Sequence, residues 1–226
     1  MRLCEHGAEC HAGLAADAVA SAPEAARAWL LIEHPGPWAA GELDTAGLPP
    51  IAREADALGI RVQLIRRVGE SGGRVYAAWT AGPAPWAGEF AGDLEALAAG
   101  SESAITLPVD PLYLVCTHGR RDACCGRFGG ALARTLAGRG YPVWETSHVG
   151  GHRFAANLVI LPHGLYYGPV SADRAAAAID AYQQGLVIES RYRGRAGLPA
   201  AGQAAEHAEL SAAGSIVLPG TAVTMR

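Results

Sequence analysis

The strongest constraint on the fold lies in the second half of the chain. There, short apolar runs alternate with helix-patterned ones, and glycine or proline marks nearly every join. "LYLVC", residues 112–116, is apolar throughout and too short for a helix, as expected of a strand buried on both faces. "GRFGGALARTLAGRG" has helical spacing and runs out at the glycines near 138–140. "PVWET" is the next strand, and "AANLVILPHGLYYGPV" is a β-hairpin turning at Pro162-His163-Gly164. "SADRAAAAIDAYQQG" is a helix capped by Ser171 and stopped by Gly185. The resulting order, β–loop–α–β–loop–β–β–α, is that of an α/β thioredoxin-like sandwich.

The first half follows a shortened version of the same order. "AWLLIEHPGPW" holds a buried strand at about residues 29–32, and "GLPPIAREADALG" is a helix opened by prolines and closed by Gly59. "IRVQLIRRV" alternates apolar and polar residues, which predicts a strand with one wet face. "ESGG" predicts a hairpin turn with "RVYAAWT" as the return strand. "AGPAPWAG" reads as a loop, and "DLEALAAG" as a short helix with Asp93 as its cap. Two related α/β units follow from this. Residues 1–100 form a degenerate thioredoxin-like unit, and residues 107–190 form the unit that carries the chemistry. A linker at about 100–106 joins them. Residues 191–226 form a tail packing on both, with one weak helical patch, "GQAAEHAELSAAG".

Composition excludes several classes. Half of the 226 residues are apolar and 18% are charged, as in a globular protein. The net charge is −4 and no basic stripe is present, which argues against nucleic acid. No apolar run approaches the roughly 20 residues needed to cross a bilayer. Glu5, Glu9 and Asp17 interrupt what would be the core of a signal peptide, so a cytoplasmic protein is expected. Neither GxGxxG nor GxxxxGK[ST] occurs, leaving nucleotide binding without support.

The five cysteines and eight histidines carry the chemistry. An odd cysteine count in a cytosolic chain favours metal binding or thiol chemistry over a disulfide framework. Cys116 ends the strand "LYLVC", and Cys125 follows after eight residues at the start of a helix, where the helix N-terminus favours thiolate. "HVGGH", residues 148–152, follows the next strand. Its two imidazoles are separated by glycines that allow the backbone to wrap closely. Parallel neighbouring strands would bring the two loops together, so that Cys116, Cys125, His148 and His152 form a four-ligand site. Two thiolates and two imidazoles suit zinc or an iron–sulfur cluster.

Each residue also has a plainer role to weigh. Buried thiols are common in cores, and histidines often do no more than brace loops. Cys124 could ligate in place of Cys125, form a vicinal disulfide, or be a spare thiol. His118 could ligate or hydrogen-bond within its loop. Arg121 and Asp122 could brace the loop or be solvated, and His163 would be exposed in its turn. The N-terminal "CEHGAECH" offers Cys4, His6, Cys10 and His11 as a second metal site, or as a terminus with incidental metal affinity.

With these residues in view, "VCTHGRRDACCG" followed by "VWETSHVGGHRFAANLVILPHGLYYG" resembles the sucrase/ferredoxin-like family, which is related to thioredoxin-like [2Fe–2S] ferredoxins. The match is densest from about residue 115 to 170, and "WLLIEHPGPW" and "QAAEHAEL" also look like family segments. The resemblance implies a [2Fe–2S] cluster held by Cys116, Cys125, His148 and His152, with the "CG" favouring Cys125 over Cys124. It implies an electron carrier with a redox-protein partner, rather than an enzyme with its own substrate. The cysteines would hold one iron and the histidines the other, as in Rieske centres. Each histidine would keep a second ring nitrogen able to couple proton and electron uptake. The "sucrase" half of the label finds no support, because no acidic pair stands beside the matched loops. Two rivals remain: a structural zinc-binding module, and a thiol–disulfide oxidoreductase, which the lack of a C-x-x-C motif disfavours.

Overall fold

The computed structural model describes residues 19–67 and 72–218. The "CEHGAECH" stretch and the first half of the expected "ESGG" turn lie outside these residues. Among the described residues, ten strands form one sheet. The first half contributes β1 (Ala28–Glu33), β2 (Arg61–Arg66), β3 (Val75–Trp79), β4 (Trp86–Phe90) and β5 (Ile105–Pro108). The second contributes β6 (Leu112–Cys116), β7 (Val143–Thr146), β8 (Leu158–Leu161), β9 (Leu165–Tyr167) and β11 (Tyr192–Arg195). A separate pair, β10 (Leu186–Ile188) and β12 (Ser215–Val217), flanks it. The helices are α1 (Ile51–Ala57), α2 (Leu94–Ala99), α3 (Gly130–Gly138), α4 (Ala172–Gln183) and α5 (Ala200–Ala213).

The two halves have the same wiring. In the first, β1 lies between a parallel β2 and an antiparallel β3, and β4 and β5 follow outward. In the second, β6 lies between a parallel β7 and an antiparallel β8, and β9 and β11 follow. The halves meet where β2 and β7 pair antiparallel through Ile65↔Thr146 and Arg66↔Glu145. Each half thus reads β–α–β–β–β–α, a thioredoxin-like α/β sandwich order.

Alternation along the strands sends side chains to three cores. Leu30, Ile32 and Leu64 pack against α1 and α2, and Tyr113, Val115 and Ile160 pack against α3 and α4. The opposite faces of both halves share a third core. Trp29, Leu31 and Tyr76 meet Leu112, Leu114, Trp144 and Tyr166 there, so the sheet curls with its helix-free faces toward each other.

Several sequence expectations need correction. β3 does not return beside β2. It pairs with β1, because β2 already has β1 on one edge and β7 on the other. That central position also removes the expected wet face of β2: Gln63 is buried and hydrogen-bonded to Thr146 and Ser147. The stretch "AGPAPWAG" is not all loop, because its end begins β4. Gly88 is required there: a Cβ would lie 2.5 Å from the Leu107 carbonyl oxygen on β5. The expected linker at 100–106 contains the αL cap of α2 at Gly100, a short 3-10 turn and the start of β5. From the expected tail, residues 192–195 form β11 in the main sheet, and the weak helical patch is the fourteen-residue α5.

The local signals for helix ends hold. Asp93 Oδ1 accepts the Ala96 N–H at 2.9 Å, and Ser171 Oγ accepts the Arg174 N–H at 3.4 Å. No helix among the described residues is long and apolar enough to cross a membrane.

Candidate metal centre

β6 and β7 run parallel with Cys116 opposite Thr146, so the loops leaving their C-terminal ends emerge side by side, where α/β sheets place their sites. The first loop returns into a helical segment opened by Asp122, whose Oδ1 accepts the Cys124 N–H at 2.9 Å. The next residues, Cys125–Gly129, form a π-helical turn before α3, a local widening often found at functional sites. Glycines let this turn sit against the strand end. A Cβ on Gly129 would lie 1.8 Å from the Cys116 carbonyl oxygen, and one on Gly126 would lie 2.7 Å from Gly119 Cα. The backbone contact therefore sets how far apart Cys116 and Cys125 stand.

The second loop is built for a close bend. Gly150 and Gly151 have φ of +91° and +68°, conformations that side-chain-bearing residues rarely adopt. Polar groups from the first half hold it. Arg61 and Gln63 donate to the His148 carbonyl at 3.2 and 3.3 Å, and Ser147 Oγ accepts the Leu64 N–H. The His148 N–H is shared between Glu42 Oε1 at 3.0 Å and His118 Nδ1 at 3.1 Å.

The result brings Cys116, Cys125 and His148 together, with their ligand atoms all within 4.8 Å of one another. Cys125 Sγ lies 3.8 Å from His148 Nδ1. His152 stands outside this group: it is exposed, and its ring centre is 6.3 Å from that of His148. Cys116, Cys124 and Cys125 are all buried thiols. The Cys116 thiol is held well below its ordinary pKa, chiefly by a hydrogen bond from Cys125. His148 and the N–H groups of His118 and Val149 add to this, against the cost of burial. Cys125 is pushed up by the same bond and by burial, so the two thiols titrate as a pair. A metal would reverse this, since coordinated thiols lose their protons outright.

His118 bonds within its own loop through its carbonyl, which accepts the Arg121 and Asp122 N–H groups, but its side chain reaches outside that loop. It is buried, with Nε2 donating to the Ala39 carbonyl at 2.6 Å and Nδ1 accepting from His148. It is a brace behind the ligand loop. Glu42, 3.6 Å from His118 Nδ1, completes that brace. Burial opposes its charge, but the His118 ring beside it and the N–H groups it faces, that of His148 among them, outweigh this and lower its pKa. His163, expected to be exposed, is buried with Nδ1 2.6 Å from the Tyr182 hydroxyl, at a distance in the chain from the two ligand loops.

Sequence reasoning missed Gln63, Glu42, Asn157 and Arg193, all of which support the site from other strands or loops. The Asn157 carbonyl accepts the Cys116 N–H at 3.1 Å, and its side chain donates to the Gly151 carbonyl at 3.1 Å. The one signal in the sequence was a polar residue set directly before an apolar strand.

The profile of the Sucrase/ferredoxin-like family matches residues 63–194, more than half of the chain and all of both ligand loops. The chain belongs to the sucrase/ferredoxin-like family. Among curated proteins it is similar to "Altered inheritance of mitochondria protein 32" of Meyerozyma guilliermondii, 33% identical over 97 residues that cover 38% of this chain and 34% of that protein. The proteins of the same name from Eremothecium gossypii and Debaryomyces hansenii are 32% and 34% identical, each over 37% of this chain and 32% and 35% of their own length. The matched region thus spans about a third of these relatives. No solved structure matches.

Proposed function

We propose that this protein is an electron carrier that holds a [2Fe–2S] cluster, with Cys116 and Cys125 on one iron and His148 and His152 on the other. The observation that carries this reading is the meeting of two buried thiols from the loop after β6 with an imidazole from the parallel loop after β7. Membership of a ferredoxin-like family supports it. The residues fit the group as a donor set: soft thiolates from one loop, neutral imidazoles from the other, and a fourth donor standing beyond the compact trio. Bound there, such a cluster supplies a one-electron couple, and imidazoles in place of two thiolates make it less negative and easier to reduce. Val149 and Ala155 are buried in the same apolar cluster as Cys116 and Cys125, while exposed His152 would be the route of the site to the surface. We place the protein in the cytoplasm, where reducing conditions keep thiols available to a metal. Its partner is then another redox protein.

One distance in the site favours a second reading. A tetrahedral zinc with bonds of about 2.3 Å to sulfur and about 2.0 Å to nitrogen sets such ligand atoms about 3.5 Å apart, close to the 3.8 Å between Cys125 and His148. A zinc-binding module would then result. An anaerobic redox titration separates the two. The carrier takes up one electron per cluster, and its potential falls as pH rises because reduction strengthens proton binding at the ligand histidines. A protein that takes up no electron contradicts the proposal.

A further inference from the structure

Arg193 is 2% exposed, yet its guanidinium meets no carboxylate among the described residues. It lies at an irregularity in the β9–β11 pairing: Tyr192 is opposite Tyr167 and Gly194 is opposite Tyr166, leaving Arg193 as the extra residue. Such bulges re-aim a side chain. Here the guanidinium is directed into the molecule, 4.4 Å from the Phe154 ring centre and 5.4 Å from that of Tyr166. Its hydrogen bonds all go to neutral acceptors: Nη1 donates to Asn157 Oδ1 at 2.7 Å, Nε to Ser21 Oγ at 3.1 Å, and Nη2 to the Ser21 carbonyl at 2.9 Å. Burial brings its pKa down to about 10, with Arg153 pushing the same way and Tyr166 opposing, so it remains charged at neutral pH.

A buried charge without an opposite partner is costly to keep. The position of this one suggests what it serves. Nη2 packs against Gly151, so closely that a Cβ there would lie 2.4 Å away. The Asn157 side chain, which Arg193 orients, donates to the Gly151 carbonyl, and the Asn157 backbone carbonyl accepts the Cys116 N–H. Tyr166, whose ring centre lies 5.4 Å from the guanidinium, donates to the Val149 carbonyl at 3.2 Å. Arg193 thus reaches the His148–His152 loop directly at Gly151 and again through Asn157 and Tyr166, and the end of β6 through the Asn157 backbone carbonyl.

We propose that Arg193 is the positioning residue of the metal centre: it clamps the His148–His152 loop through Gly151 and Asn157, and its buried charge favours the reduced form of the site. This rests on the reading of the site as a redox centre. Reduction adds a negative charge, and a fixed cation in a low-dielectric interior favours that state at some distance.

Three substitutions separate the clamp from the charge. Arg193→Gln removes both, Arg193→Lys keeps the charge and loses the fork, and Ser21→Asp keeps the fork and the Asn157 bond to Gly151 while setting a carboxylate against Arg193 Nε to neutralise the charge. Two readouts are taken on the full-length, metal-loaded protein: the midpoint potential, and the rate of metal loss to a chelator. Arg193→Gln should have a more negative potential and lose metal several-fold faster. Arg193→Lys should lose metal faster at a near wild-type potential. Ser21→Asp should lower the potential with less effect on metal loss, and it decides the charge argument if Arg193→Gln fails to fold. Wild-type potential in both Arg193→Gln and Ser21→Asp, with wild-type metal loss in Arg193→Gln, would overturn the proposal. If the wild-type protein takes up no electron, the carrier reading fails instead, and the chelator rates still decide the clamp.

Discussion

Replacing Gly129 by alanine sets two rules of helix energetics against each other. Gly129 has helical dihedrals, φ −67° and ψ −42°, so propensity alone favours alanine by about 1 kcal/mol. The site does not permit it. The added Cβ would lie 1.8 Å from the Cys116 carbonyl oxygen and 2.9 Å from its carbonyl carbon, whereas ordinary contact begins near 3.4 Å, so the π-helical turn or the end of β6 must move by about 1.6 Å. Both partners are backbone atoms, so no rotamer change relieves the clash. Overpacking of this kind costs about 3 kcal/mol at the upper end of its usual range, for a net loss of about 2 kcal/mol. In a chain of this length, that lowers Tm by roughly 4–8 °C. The same movement separates Cys116 from Cys125, so metal content should fall with stability. Gly138→Ala is the control: it lies at the end of the same helix with nothing within 4 Å, and should be neutral or up to about 1 kcal/mol stabilising. Urea unfolding of both variants with and without metal reads the difference. A Gly129→Ala protein that melts with or above the wild type would refute the claim that backbone contact sets the thiol spacing.

Other consequences follow from the braces behind the site. Gln63→Leu leaves the Thr146 and Ser147 hydroxyls without their acceptor and should cost about 1–3 kcal/mol in urea unfolding and weaken metal retention. Wild-type behaviour would show that this bridge is idle. Glu42 has a lowered folded pKa, so its stabilisation is complete above its unfolded value of 4.5 and is lost as pH falls through the lower folded value. Glu42→Gln should therefore be less stable than wild type at neutral pH, with the gap closing in acid. A gap that is constant down to the acid transition would contradict the charge argument. Cys116→Ser and Cys125→Ser should each lose the metal, whereas Cys124→Ser should retain it as measured by metal analysis. Loss in Cys124→Ser with retention in Cys125→Ser would reverse the ligand choice.

Local signals were the legible ones. The apolar run of β6, the Ser171 and Asp93 caps, and the glycines of HVGGH each depend on a few adjacent residues, and each is seen as the sequence suggests. Sheet order is not local. β3 passes over β2 to reach β1, which no pattern within residues 61–79 could reveal. The same nonlocal order buries Gln63, whose alternation alone predicts an exposed face. β4 was hidden by Gly88, a poor strand residue needed for the close approach of β5. The Cys-x8-Cys and His-x3-His spacing marked the site, and three of those four residues converge. The buried support of Arg193 was masked because its surroundings read as a Gly- and Ala-rich tail.

The most direct test of the central claim is the visible spectrum of anaerobically purified protein, taken with iron, sulfide and zinc analysis of the same sample. The carrier reading predicts a red-brown protein with about two irons and about two sulfides per chain. A colourless protein holding one zinc, even after expression with added iron, would contradict it and leave the site as a structural zinc centre.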